Sequence, residues 1–326
     1  MMLIRVGAEV PGWFAKLDKN EDSLLSQEEA GRFFEPMDAD GDGVVTTAEG
    51  SIYMANRNLE RDPKPDSRGR ARSLKFADLE GREKTGKGLW VVSIGHSCVV
   101  SAIPSTIQVC QANGFPDHTH VMQFFGGGGG APKAQWERTG DQQDAKPSLE
   151  TGKIDVMTFG HLVSASGEVV GCELEDYQRW MEFALQHNPE ITFLIQDLWP
   201  WIDGTDRKAD FTTFNLGDYE AWMEKVTREL GMLVDRLNQL YPGRVRVLPV
   251  GPAMVELVKM TLAEELPGVD AVLVPPRDDR GRVGLYRDMI HPTPVAAAMQ
   301  GYIYYSVLYN RNPVEVESGL HPNPEL

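Results

Sequence analysis

The chain has 326 residues, of which 41% are hydrophobic and 25% are charged, and its formal net charge is −16. This length suggests about two domains, and the hydrophobic content is that of an ordinary globular protein. The negative charge argues against a nucleic-acid partner, because the phosphate backbone would be repelled. No segment approaches the roughly eighteen consecutive apolar residues of a membrane span. Three cysteines without CxxC spacing predict neither a disulfide framework nor a zinc site.

Two twelve-residue segments near the N-terminus have the spacing of calcium-binding loops. Ca²⁺ prefers six to eight oxygen ligands, and this spacing, closed by a glutamate at position 12, wraps such ligands around the ion. The glycine of the sharp turn at position 6 is present as Gly43 in the second loop and is replaced by Ser23 in the first. The predicted ligands are Asp18, Asn20, Asp22, the Leu24 carbonyl, Ser26 and Glu29 in the first loop, and Asp38, Asp40, Asp42, the Val44 carbonyl, Thr46 and Glu49 in the second.

Leu25 and Val45 occupy position 8 of the two loops, where paired loops of the EF-hand type join through a short β-bridge. The sequence therefore predicts an EF-hand pair over residues 1–55. The two loops are separated by only a short segment, so we expect a compact module with structural calcium rather than a sensor that opens. Residues 56–87 are charged and loop-like, which predicts a linker to a domain over residues 88–326.

From residue 88 onward, apolar strands alternate with amphipathic helices. This alternation predicts an α/β fold with a parallel sheet covered by helices on both faces. Ligands of such sheets bind beyond the carboxyl ends of the strands. The predicted strands are 89–94, 119–125, 154–159, 191–196 and 244–250, and the predicted helices are 98–113, 173–187, 217–241, 252–265 and 293–309.

Ser97 follows the first of these strands in the segment LWVVSIGHS, and Asp288 and His291 lie far downstream in YRDMIHPTP. A serine hydroxyl is a weak nucleophile at neutral pH unless an imidazole takes its proton, and a carboxylate then holds the imidazole in the required tautomer. The alternative is that Ser97 only caps a helix and His291 only lies on the surface. Because the three residues occur together, we interpret them as a catalytic triad.

Two further segments follow predicted strand ends. Gly126 to Gly130 form a glycine run whose backbone N–H groups could approach a ligand closely, as an oxyanion hole requires, or which could be only a flexible turn. Trp199 and Trp201 could present flat apolar faces to a sugar ring, or could be ordinary packing residues.

The segments around Ser97 and around Asp288 and His291 resemble the first and last sequence blocks of the GDSL/SGNH hydrolases, over roughly residues 88–312. The resemblance implies a three-layer α/β/α sandwich of the SGNH or flavodoxin-like type. It also implies acyl transfer to Ser97 and then to water, with His291 as general base and Asp288 orienting it. No metal is implied for this chemistry.

The chain departs from the family pattern in two blocks. A glycine after the second strand and the serine amide normally donate to the oxyanion, which assigns that role to Gly128 or Gly129 and to Ser97. The third block, Gly-x-Asn-Asp in the family, is Gly160-His161-Leu162 here, so His161 is the predicted replacement donor for the missing Asn. His96 replaces the Asp of the first block. It could be a structural residue, part of the cleft lining or a ligand, and the sequence does not decide between these roles.

The sequence thus predicts a serine ester hydrolase that acts on acyl, foremost acetyl, esters of carbohydrates. The substrate-binding candidates are His96, Trp199 and Trp201. The alternatives are a calcium-dependent binding protein with an impaired SGNH-like domain and an acyltransferase that uses the same triad. The apolar part of MMLIRVGAEVPG is too short for a signal peptide, and we expect a secreted or periplasmic protein whose natural start lies upstream. A cytoplasmic location stays open.

Overall fold

The computed structural model describes residues 16–22, 24–31, 34–38, 43–46, 82–84, 86–138, 145–164, 167–202, 214–274 and 282–316. The chain divides into two compact units, Met1–Gly69 and Arg70–Leu326, and the division falls within the predicted linker. Among the described residues, no helix combines the length and the apolar character that crossing a bilayer requires.

The described part of the first unit has a two-stranded antiparallel ladder and two one-turn helices. In the ladder, β1 (Leu24–Leu25) pairs with β2 (Val45–Thr46), and Leu25 lies opposite Val45, the pairing that the sequence predicts. The helices are α1 (Gln27–Ala30) and α2 (Phe34–Met37). A small apolar cluster of side chains packs these described elements together, and it includes both paired residues.

The second unit is built on a five-stranded parallel sheet. Its strands are β3 (Trp90–Gly95), β4 (Thr119–Phe124), β5 (Val156–Gly160), β6 (Thr192–Gln196) and β7 (Val245–Leu248), arranged in the order β4-β3-β5-β6-β7. Each strand pairs in parallel with its neighbours. All five carboxyl ends therefore lie at one edge of the sheet, which is where such sheets bind ligands.

Alternate residues of the strands enter two different cores. Val92, Met157 and Phe193 belong to one apolar cluster, whereas their neighbours Val91 and Leu194 belong to another on the opposite face. Because successive side chains of a strand point to opposite faces, this division means that both faces of the sheet are buried under helices. The predicted three-layer α/β/α fold is confirmed.

Helices connect the strands and cover both faces. A 3₁₀-helix, Gly127–Gly130, follows β4, and a short parallel ladder, β8 (Ala271–Leu273) with β9 (Gly284–Tyr286), precedes the last helix. The helices are α3 (Ser97–Val100), α4 (Ile103–Ala112), α5 (Pro132–Trp136), α6 (Lys146–Glu150), α7 (Leu174–His187), α8 (Leu216–Leu240), α9 (Val250–Leu262) and α10 (Pro294–Tyr309).

One predicted helix is divided in the structure. The predicted helix over 98–113 is two helices, α3 and α4, that meet at Ser101 and Ala102. Pro104 lies in the first turn of α4, the position where a proline starts a helix rather than continuing one. The break leaves Ser97 on a single helical turn directly after β3.

Candidate active site

The backbone around Ser97 turns sharply from strand to helix. β3 ends at Gly95, His96 has extended backbone dihedral angles, and Ser97 begins α3. A Cβ atom on Gly95 would lie 2.9 Å from Val99 Cγ2, so only glycine lets the first turn of α3 fold back so closely on the strand. This turn presents the Ser97 side chain at the carboxyl edge of the sheet.

Ser97, His291 and Asp288 form a continuous hydrogen-bonded chain. His291 Nε2 lies 2.8 Å from Ser97 Oγ. On the other side of the ring, His291 Nδ1 lies 2.8 Å from Asp288 Oδ2 and 2.9 Å from Oδ1. With Nδ1 protonated and donating to the carboxylate, Nε2 is free to accept the serine proton, which is the arrangement of a general base and its orienting acid.

Asp288 is held in its ionised form by its own turn. Its Oδ1 accepts the backbone N–H groups of His291 at 2.8 Å and Ile290 at 3.1 Å. Burial raises the pKa of Asp288, but these two N–H groups and the His291 ring together lower it by more, so the net shift is downward. The carboxyl group is therefore charged at neutral pH and can stabilise a protonated His291.

The triad opens into a pocket of about 320 Å³. Apart from the triad, His96 and Gly127, its walls are apolar, which is typical of a small-molecule site with a few placed polar groups. A larger groove of about 460 Å³ between α9 and α10 contains none of the triad residues. The apolar side chains of the triad pocket are those of Cys98, Leu162, Val163, Leu198, Trp201, Met289 and Ile290.

Cys98, next to the nucleophile candidate, is a neutral packing residue. Burial raises the pKa of its thiol to about 12, so the thiolate is not populated at neutral pH. Its sulfur lies 3.9 Å from the Ile290 carbonyl oxygen, a weak contact across the pocket wall.

Gly127, rather than the predicted Gly128 or Gly129, lines the pocket. Gly127 has φ of 55°, a left-handed conformation that glycine adopts without strain. Gly129 instead packs under a neighbouring ring, because a Cβ atom there would lie 1.9 Å from Phe125 Cδ1. The glycine run does approach the site, and the member that reaches it is one residue before the predicted pair.

His161 lies behind the pocket wall rather than in it. It is buried, its Nδ1 lies 2.8 Å from the Tyr177 hydroxyl of α7, and the two rings are nearly parallel. The next two residues, Leu162 and Val163, are the ones that line the pocket. The predicted replacement of the missing Asn by His161 gains no support from this placement.

The two tryptophans have different surroundings. Trp199 is fully buried, and its indole N–H donates to the Ile290 carbonyl at 2.7 Å. Its predicted role in substrate binding gains no support from this placement, because the ring has no exposed surface. Trp201 is half-buried and does line the pocket.

His96 lines the pocket beside Ser97 while being almost completely buried, at 3% exposure. Burial lowers its pKa to about 4, more than the His161 backbone raises it, and the nearby His291 lowers it further. His96 is therefore a neutral imidazole at neutral pH. Of the three predicted substrate-binding residues, His96 and Trp201 border the pocket.

Sequence reasoning did not single out most of the apolar wall. Leu198 follows β6, and Met289 and Ile290 fill the two positions between Asp288 and His291. Each comes from a segment that the sequence had marked for another reason. The spacing of Asp288 and His291 already implied that the two residues between them lie at the site.

The first predicted calcium loop is closed by Glu29. Its carboxylate accepts the backbone N–H groups of Lys19 and Ser26, both at 2.9 Å, and the Ser26 hydroxyl at 2.8 Å. These hydrogen bonds, foremost that of the Ser26 N–H, lower the pKa of Glu29 to about 2. Asp18 and Asn20 each accept the Asp22 N–H, so their side-chain oxygens turn into the loop.

The oxygen donors of this loop are of the type that Ca²⁺ prefers. Within the described residues, however, no three acidic, histidine or cysteine side chains are gathered closely enough to hold a metal ion. Asp40, Asp42 and Glu49 of the second loop lie outside the described residues, whereas Asp38 accepts the Gly43 N–H at 3.1 Å. Calcium binding stays a prediction.

No protein-family model and no curated protein matches the chain. Solved structures that resemble it include a DUF4886 family protein from Bacteroides uniformis, 15% identical, covering 71% of this chain and 87% of that one, with a TM-score of 0.45. A candidate GDSL-like lipase from Parabacteroides merdae is 10% identical over 68% of this chain and 96% of that one, with a TM-score of 0.45. The periplasmic domain of a lipopolysaccharide acetyltransferase from Salmonella ser. Paratyphi A is 9% identical over 79% and 95%, with a TM-score of 0.43. Similarities at this level do not assign a function, which has to be argued from the site.

Proposed function

We propose that the chain is a serine hydrolase of acyl esters, with Ser97 as nucleophile, His291 as general base and acid, and Asp288 as the orienting carboxylate. The observation that carries this proposal is the pair of 2.8 Å contacts that link the three side chains through the two nitrogens of one imidazole. A surface histidine or a simple helix cap would need neither contact. The pocket beside Ser97 supplies the space for an ester.

The chemistry follows from these contacts. Ser97 Oγ adds to the ester carbonyl carbon while its proton passes to His291 Nε2, and the carbonyl oxygen becomes an oxyanion. The imidazolium, stabilised by Asp288, then gives the proton to the departing alkoxide, which leaves an acyl-enzyme. Water loses a proton to His291, attacks the acyl carbon and releases the acid with Ser97 restored.

The walls of the pocket favour an apolar acyl group. A volume of about 320 Å³ is roughly ten times the share of one water molecule in the liquid, which is room for a short acyl chain as well as the ester group. Acetyl esters of carbohydrate remain within the proposal, but the sequence argument for sugar used two tryptophans, and only Trp201 borders the site. We therefore propose short-chain acyl esters as the main substrate class.

The test combines active-site labelling with a substrate series. A fluorophosphonate should label the wild type and Ser101→Ala but not Ser97→Ala; Ser101 is the matched control because it caps the same helical turn. With p-nitrophenyl esters from acetyl to decanoyl, kcat/KM should rise beyond acetyl and fall again for long chains. Equal labelling of Ser97→Ala would remove Ser97 from the mechanism, and an acetyl optimum with turnover of acetylated polysaccharide would return the substrate to carbohydrate esters.

The acceptor is tested in the same assay. If water is the acceptor, added alcohols should leave the yield of free acid nearly unchanged. If an alcohol diverts most of the acyl group into a new ester at low concentration, the same triad serves an acyltransferase. Both outcomes require Ser97, so this arm separates the two reactions without repeating the first test.

A further inference from the structure

The pocket beside Ser97 has a closed end and a mouth, which differ in how exposed their side chains are. The closed end is lined by three apolar side chains, each at most 2% exposed, those of Cys98, Val163 and Leu198. The other apolar residues of the lining are partly exposed and border the mouth. A chain that enters the pocket from the mouth therefore ends against these three side chains.

The closed end extends from the nucleophile across the carboxyl edge of the sheet. Cys98 lies on the turn after β3, Val163 follows β5 and Leu198 follows β6. These three strands are direct neighbours in the order β3-β5-β6. Because neighbouring strands lie about 4.8 Å apart, the distance from β3 to β6 is roughly 10 Å, enough for a short aliphatic chain that starts at Ser97.

The position of His291 determines which part of an ester enters the closed end. In the proposed mechanism His291 protonates the departing alkoxide, so the alcohol part of the ester has to lie beside this ring. The His291 side chain is 30% exposed and borders the mouth. The alcohol therefore departs through the mouth, and the acyl chain is the part that extends to the closed end.

The backbone on both sides of Val163 is held by hydrogen bonds. The Leu162 carbonyl accepts the Val170 N–H at 3.0 Å, and the Ser164 N–H donates to the Glu168 carbonyl at 2.8 Å. These bonds fix the Val163 side chain against the pocket, so its size rather than its mobility determines where the closed end stops.

Val163 is also the member of the closed end that lies furthest from the triad along the chain. Cys98 directly follows Ser97, and Leu198 directly precedes Trp199, whose indole N–H holds the Ile290 carbonyl. A change of either would therefore also disturb the residues next to the reacting groups. Val163 has neither connection, so its size can be varied separately.

We propose that Val163 is a specificity-determining residue that sets the longest acyl chain the enzyme accepts. This inference rests on the proposed function and deepens it, because it assigns the acyl part of the ester to the closed end over the ends of β5 and β6. One methylene too many or too few in an apolar pocket changes kcat/KM about 10–200-fold, so a single side chain at the closed end is enough to set the limit.

The experiment measures kcat/KM for p-nitrophenyl esters of increasing acyl length in three variants. Val163→Ala removes two methyl groups from the closed end, and Val163→Ile adds one. Val169→Ala is the matched control, because Val169 pairs with Val163 in an antiparallel bridge and does not line the pocket.

The expected result is a shift of chain-length preference in opposite directions. Relative to the ester that the wild type prefers, Val163→Ala should raise kcat/KM for an ester about two carbons longer by about tenfold or more, and Val163→Ile should lower it by a similar factor. Val169→Ala should keep the wild-type preference within about twofold, since it removes no contact with the substrate. A purely structural defect would lower kcat/KM for all esters alike and leave these ratios unchanged. A folded Val163→Ala with the wild-type ratios would overturn the proposal.

The opposite orientation of the ester is tested with alkyl esters of one acid in which only the alcohol is varied. Val163→Ala should leave the ranking of these alcohols unchanged, because the alcohol lies at the mouth. A shift of the preferred alcohol, with the preferred acyl chain unchanged, would place the alcohol at the closed end and overturn the proposal.

The wild type alone supplies an independent measurement, which covers the case in which the variants do not fold. In protein with ¹³C-labelled valine and methionine methyl groups, Ser97 is labelled with a linear alkyl fluorophosphonate, whose alkyl chain takes the place of the acyl chain. The terminal methyl group of the chain should show a nuclear Overhauser effect to the Val163 methyl groups. An effect to the Met289 methyl group in its place would put the chain at the mouth and overturn the proposal.

The two proposals fail in different ways. Labelling of Ser97 by a fluorophosphonate does not depend on Val163. A labelled wild type whose variants keep the same acyl preference would remove this inference and leave the proposed function standing, whereas an unlabelled wild type would remove both.

Discussion

Asp197 is a buried carboxyl group at the end of β6, and we predict that its ionisation destabilises the second unit as pH rises. The side chain is 1% exposed, its Oδ1 accepts the Gly251 N–H at 2.6 Å, and its Oδ2 has no partner within the described residues. Burial raises the pKa of Asp197 from 3.8 to about 7, against the lowering effect of the N–H groups of Gly251 and Val250 at the start of α9.

The sign and size follow from linkage. Because the pKa of Asp197 is higher in the folded protein than in the unfolded chain, its carboxyl group binds the proton more tightly in the folded state. The resulting stabilisation is fully present below about pH 4 and is lost as pH rises through about 7. Each tenfold change in the dissociation constant corresponds to about 1.4 kcal/mol, so the whole loss is roughly 4 kcal/mol.

Asp197→Asn isolates this effect, because an amide stays neutral at every pH. The measurement is urea unfolding of wild type and variant between pH 4.5 and 8, followed by tryptophan fluorescence. Six of the seven tryptophans (all but Trp13) lie in the second unit, so the signal reports on that unit. The variant should gain roughly 3 to 4 kcal/mol relative to the wild type across this range. A difference in unfolding free energy that does not change with pH would show that Asp197 stays ionised throughout, and the burial argument would be wrong.

Three other predictions use the same assays. Trp199→Phe should lower kcat and cost about 1–3 kcal/mol of stability, because it leaves the Ile290 carbonyl, 2.7 Å from the indole, without its donor; an unchanged kcat would contradict this. Gly160→Ala should reduce both kcat and stability, the latter by about 1–3 kcal/mol, because its Cβ would lie 2.7 Å from Val99 Cγ2. Ca²⁺ at a hundredfold excess over Kd should stabilise the first unit by about 2.7 kcal/mol, less in Glu29→Gln, with kcat within twofold; loss of kcat on chelation from a folded second unit would place calcium in catalysis.

The strands of the sheet were predictable because their apolar runs are long and uninterrupted. All five observed strands begin and end within two residues of the predicted bounds, and the same is true of the helix at 173–187. A periodic pattern of apolar residues cannot be recognised in a segment of only a few residues. The strands β8 and β9 contain three residues each, too few for a pattern to emerge, and Pro104 gave the one available sign that the helix at 98–113 is broken.

The triad was predictable for a different reason than its surroundings. A serine, an aspartate and a histidine form a catalytic combination that can be recognised from the residue types alone. No periodic pattern of apolar residues is needed to find Ser97, Asp288 and His291. The periodic pattern of apolar residues does not determine where a side chain points once a strand has ended. His161 and Trp199 both follow strand ends, and both turn inward, the first to Tyr177 and the second to the Ile290 carbonyl.

The inward turn of Trp199 explains how two segments so distant in sequence form one site. Its indole N–H binds the Ile290 carbonyl, and the Ile202 N–H binds the Met289 carbonyl at 3.0 Å. The two carbonyls held in this way belong to the residues between Asp288 and His291. The segment after β6 therefore fixes the backbone that carries Asp288 and His291, while β3 positions Ser97. Trp199, which the sequence suggests for substrate binding, instead holds the backbone next to His291. If the proposed function is correct, a substitution of Trp199 should lower kcat although the side chain does not contact the ester.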